Sequence, residues 1–161
     1  MLLCIGLVYY FFPEDKLSEG TKIDKLVVIK SARIMEAYHN GQLIKTYTIS
    51  LGANPAGDKE YEGDKRTPEG EYTINDRNAN SGYFKNLGVS YPNEADIAEA
   101  KKRGLSPGGD IKIHGIRNGL GFIGKFHRLF DWTAGCIAVT NEEMEELFQA
   151  VEIDTPIVIK P

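Results

Sequence analysis

The sequence predicts a mainly β fold of the α+β class with two short helices, and three observations carry that prediction. Short β-branched runs, Leu26-Val27-Val28-Ile29 near the front and Pro156-Ile157-Val158-Ile159 at the end, have the length and composition of buried strands. Asn40-Gly41 stands between two further strand-like runs, a strong hairpin signal because both turn residues must accept positive φ. Helical spacing with a capping residue in front occurs in only two stretches, both short.

In chain order, Asp24 to Ile29 is the first expected strand, Arg33 to Tyr38 the second, and Leu43 to Leu51 returns beyond the Asn40-Gly41 turn, so the chain opens as a meander. Residues Gly52 to Glu69 are polar and punctuated by Gly57, Gly63 and Pro68, which predicts a long surface loop, and a loop of that length tends to be functional. Strand character resumes at Tyr72-Thr73-Ile74 and again over Leu87 to Tyr91. Glu94 to Arg103 is the first expected helix, capped by Asn93 and stopped by Gly104, with acidic residues opening it and basic ones closing it. Pro107-Gly108-Gly109 turns into a strand over Ile111 to Ile113, and Ile137-Ala138-Val139 is another. The second helix runs from Asn141 to about Val151, with Thr140 and Glu143 spaced as a capping box.

The chain of 161 residues suits one domain with a core large enough to need no staples. Residues 1–13 form an apolar signal- or anchor-like segment, 14–23 a linker, and 24–161 the folded domain. The run Leu2 to Phe12 is shorter than the ~20 residues a bilayer span needs, and an extra strand is the alternative reading. A net charge of -4 with no basic stripe argues against nucleic-acid binding. Cys4 and Cys136 lie in such different settings that a disulfide is not expected. His39, His114 and His127 lack ligand spacing with Cys136, so neither a metal site nor a cofactor is predicted.

The candidate chemistry lies in the last third. His114-Gly115 ends one expected strand and Thr133-Ala134-Gly135-Cys136 precedes another, so sheet pairing would bring a thiol and an imidazole together for nucleophilic catalysis. The alternative is that Cys136 is a small core residue and His114 a satisfied strand-end histidine. His127, in Gly124-Lys125-Phe126-His127-Arg128, is a competing base.

Thr133-Ala134-Gly135-Cys136-Ile137, the upstream His114, and Thr67-Pro68-Glu69-Gly70-Glu71-Tyr72 together resemble the signatures of the YkuD-type L,D-transpeptidases, closest in motif to their YafK-like and ErfK-like members. Two departures stand out: Ala134 occupies a position that is often His or Asp in such enzymes, and Ala138 one that is commonly Arg or Asn. The resemblance implies a transpeptidase-like sheet or sandwich, with Cys136 as nucleophile, His114 as proton donor and acceptor, and the Gly115 carbonyl orienting the ring. Gly135 and Thr133 would support the oxyanion, and Arg66 and Asn118 are candidates for holding substrate. It also implies a periplasmic or cell-envelope protein, exported or held to the membrane by its N-terminus. Its substrates would be peptidoglycan stem tetrapeptides, with a second stem, an envelope lipoprotein lysine or water as acceptor. A hydrolase of the same fold and a catalytically silent wall-binding module are the competing readings.

Overall fold

The computed structural model describes residues 2–161, with side chains from Gly6 onward, so Cys4 lies outside the described side chains. Eight strands form one sheet: β1 (Lys25–Ile29), β2 (Ile34–His39), β3 (Gln42–Thr48), β4 (Gly70–Ser81), β5 (Phe84–Val89), β6 (Lys112–His114), β7 (Ile137–Ala138) and β8 (Pro156–Lys160). Their spatial order is β3-β2-β1-β8-β4-β5-β6-β7. The sheet curls until its edges meet, because Ser50, just past β3, pairs with Ala138 of β7 through reciprocal backbone bonds of 2.9 and 2.8 Å. Closure of this kind leaves few unpaired edge groups.

The expected meander is present, with Asn40 at φ 49° and Gly41 at φ 76° making the turn. The last strand inserts between the meander and the rest, parallel to β1 and antiparallel to β4. Leu26, Val28, Met35, Tyr47, Ile74, Leu87, Ile113, Ile137, Leu147 and Ile157 meet in one core.

Helix α2 (Glu94–Lys102) starts at Asn93, whose side chain accepts from the N–H groups of Ala95 and Asp96. Helix α3 (Asn141–Ala150) carries the Thr140–Glu143 capping box that its sequence predicts.

A third helix precedes both. Helix α1 (Leu2–Phe11) corrects the strand alternative for this segment. Its rings pack on the 3₁₀ segment Gly121–Leu129, with Tyr10 5.1 Å from Phe126 and donating its hydroxyl to the Phe122 carbonyl at 2.7 Å. At ten residues it spans about 15 Å, and among the described residues no helix is long and apolar enough to cross a membrane.

Candidate functional site

Strands β6 and β7 run parallel, with Ile113 opposite Ile137 and His114 opposite Ala138. Side chains alternate along a strand, so Ile113 and Ile137 enter the core while Lys112, His114 and Ala138 take the other face. Cys136 lies just ahead of β7, with its thiol at the Asp110 carbonyl and beside the Lys112 backbone amide.

The His114 ring is buried, and its Nδ1 lies 2.7 Å from the Gly115 carbonyl. A carbonyl can only accept, so Nδ1 carries the proton and Nε2 keeps a free lone pair. Burial pushes the His114 pKa below its ordinary 6.5, the Gly115 carbonyl opposes that shift, and the Lys112 charge adds to it. Burial likewise pushes the Cys136 thiol up from 9.0, with the Lys112 backbone amide pulling the other way. At neutral pH the two groups are therefore a neutral thiol and a neutral imidazole. The thiol donates to the Asp110 carbonyl at 3.6 Å.

The turn before the cysteine is built by Thr133, whose hydroxyl donates to the Cys136 carbonyl at 2.7 Å and accepts from the Gly135 N–H at 3.1 Å. Gly135 has φ 137°, and a Cβ there would stand 2.8 Å from the Arg66 carbonyl, so only glycine fits. The Gly135 amide is thus engaged by Thr133. Gly115 faces a similar restriction, since a Cβ would meet Asn141 Oδ1 at 2.7 Å.

Asn118 does not stand free. Its Oδ1 accepts from Phe84 N–H at 2.8 Å and its Nδ2 donates to the Ser81 carbonyl at 3.0 Å, so the side chain clamps the β4–β5 turn. Arg66 donates to the Asp58 carbonyl at 3.1 Å and pairs with Glu60 at 3.3 Å. The Thr67-Pro68 motif has a supporting part: the Thr67 hydroxyl accepts from Gly52 N–H, and the Thr67 carbonyl accepts from buried Lys30. His127 also packs on Trp132, as His114 does, with Nδ1 3.3 Å from the Ser50 hydroxyl and a pKa lowered to about 4 by burial, by Arg128 and by His114.

Sequence reasoning missed the aromatic wall. Tyr83 lies 4.7 Å from the His114 ring and stacks on Trp132, and these two with Ile116, Leu120, Ile123 and His127 line a cleft of about 300 Å³ whose walls include neither His114 nor Cys136. Nothing in the polar stretch before Tyr83 marks it as a hairpin tip folded over the site. Two wider clefts, of about 430 and 510 Å³, lie along residues 10–17 and away from Cys136.

A curled sheet that sets a glycine-framed cysteine and a carbonyl-oriented histidine at the ends of two paired strands holds the components of cysteine acyl transfer. Residues 24–159 match the YkuD family model, the L,D-transpeptidase catalytic domain, and the chain belongs to that family. YafK of Escherichia coli K12, provisionally named an L,D-transpeptidase, is 28% identical over 130 residues, covering 77% of this chain and 45% of YafK. The structure of the helical cell shape determining protein Pgp2 from Campylobacter jejuni superposes with a TM-score of 0.64 at 27% identity, over 88% of this chain and 49% of that one. An L,D-transpeptidase from Mycobacterium smegmatis shares the fold at TM-score 0.57 and 12% identity, over 88% of this chain and 60% of its own. The chain thus spans about half the length of YafK and Pgp2.

Proposed function

We propose that this domain is a peptidoglycan L,D-transpeptidase working through a thioester on Cys136. The observation that carries the reading is the His114 Nδ1–Gly115 carbonyl bond of 2.7 Å, which leaves Nε2 basic on the strand that pairs with the one Cys136 leads into. In this mechanism Nε2 takes the thiol proton as Sγ attacks the carbonyl of the third residue of a stem tetrapeptide. The backbone N–H of Cys136 faces the developing oxyanion, while Thr133 and Gly135 fix the turn that aims it. The C–N bond then breaks, His114 returns the proton to the departing amine of the fourth residue, and the tripeptide acyl group stays on sulfur.

The acceptor completes the reaction: an amine of another stem gives a cross-link, a protein lysine gives an anchor, and water gives hydrolysis. Envelope location belongs to the same proposal, with exposed Val8, Phe11, Phe12 and Phe122 offering an apolar surface for the membrane side. Digested sacculi incubated with the protein and separated by mass test the reading. New 3–3 linked dimers are expected, tripeptides alone would mean the hydrolase, and untouched muropeptides would leave the silent wall-binding module.

A further inference from the structure

The cations around the thiol differ in how committed they are. Lys59 is buried, donating to Asp64 at 2.7 Å and to the Tyr61 carbonyl at 3.0 Å. Arg66 is held by Asp58 and Glu60. Lys112 shares a face of β6 with His114, its backbone amide meets the Cys136 thiol, and its ammonium pairs at 2.7 Å with Asp110, whose carbonyl accepts from that thiol and whose side chain is 82% exposed. An ion pair with so exposed a partner contributes little and exchanges at little cost. Asp110 itself sits at φ 60°, a left-handed conformation that Asp tolerates, and this one turn sends its carbonyl to the Cys136 thiol and its carboxylate to Lys112.

We propose that Lys112 is the carboxylate-recognition residue beside the nucleophile, with Asp110 as its stand-in partner in the free protein. Resting on the donor proposed above, the ligand is the terminal carboxylate of the stem tetrapeptide, carried by the residue whose nitrogen departs. That carboxylate lies one carbon from the scissile nitrogen, so a cation flanking the attacking sulfur is positioned to receive it. A free terminal carboxylate would displace Asp110, and the ammonium would hold the leaving residue while His114 protonates its amine. Lys112 thereby selects donors that end in a free acid; a blocked C-terminus loses the contact.

Two measurements on the full chain test this. Alkylation at Cys136, read by peptide mapping, is compared for anionic iodoacetate and neutral iodoacetamide, so that any change in thiol acidity cancels in the ratio. Lys112→Met is expected to lower the iodoacetate-to-iodoacetamide ratio by roughly fivefold or more, and Lys112→Arg to restore it. The tetrapeptide acid and its C-terminal amide are then compared as donors: Lys112→Met should cut kcat/KM for the acid about tenfold or more beyond any loss it causes for the amide. An unchanged alkylation ratio, or equal losses for acid and amide, overturns the proposal. A wild-type protein that turns over neither peptide counts against the transpeptidase reading, and the alkylation ratio then still decides whether Lys112 recognises an anion at the thiol.

Discussion

His114 and His127 both pack edge-on with the Trp132 indole, yet their second nitrogens differ in use. Nε2 of His114 is left basic by the Gly115 carbonyl, whereas Nε2 of His127 is buried without a hydrogen-bond partner and its ring resists protonation down to about pH 4. His114→Ala should therefore slow thioester formation by about 100-fold or more, and His127→Gln by no more than about threefold, in rapid-quench acylation assays. Equal losses would move the base to His127. The pH dependence follows from the shifts: His114 is a base only when neutral, and burial lowers its pKa, so kcat/KM should stay level at neutral pH and fall only below 6.5. A fall already complete at pH 7 would contradict the assigned environment. Cys136, His114, Gly115 and Thr133 were legible because the motif fixes types and spacing at two strand ends. Lys112 and Tyr83 were not, since their places depend on register and on a hairpin that folds back.

At the scale of elements, caps and β-branched runs read directly from sequence because their physics is local: Asn93, Thr140 with Glu143, and Asn40-Gly41 each do what their types dictate. β4 runs on to Ser81 through Asn75-Asp76-Arg77-Asn78-Ala79-Asn80, a polar stretch without alternation, held as strand by pairing with β5 rather than by propensity. The Leu2 to Phe11 run was ambiguous between helix and strand because a short unbroken apolar run has no diagnostic period. Thr140→Ala removes the acceptor for Glu143 N–H and should cost about 1 kcal/mol in urea unfolding. Arg128 joins Glu14 and buried Glu143, each at 2.6 Å. Arg128→Met strands the Glu143 charge and should cost about 3 kcal/mol, against under about 1 kcal/mol for Glu14→Gln. Equal costs would mean that the pair with Glu143 is no stronger than a surface contact.

At the scale of the molecule, sheet closure joins the front of the chain to its chemistry, as Ser50 pairs with Ala138 by its backbone and meets His127 with its hydroxyl. That junction was invisible in sequence because its partners are far apart and carry no shared pattern. It also sets an acid sensitivity. With a folded pKa of about 4 against an ordinary 6.5, the unfolded chain binds more protons at His127 between those values, so stability is lost as pH falls from about 6.5 to about 4 and levels below. The buried His114, lowered too, acts in the same direction. The melting temperature of His127→Phe should be less steep than wild type across that window; parallel curves would mean that His127 takes up its proton without opposing the fold.

The most direct test of cysteine acyl transfer at this site is intact-protein mass spectrometry after brief mixing with a stem tetrapeptide, followed by acid quench and peptide mapping. A mass gain equal to the tripeptide acyl group, mapped to Cys136, lost on hydroxylamine treatment and absent in Cys136→Ser, is the expected result. A tetrapeptide consumed equally by Cys136→Ser, or an acyl group found on any other residue, would contradict it.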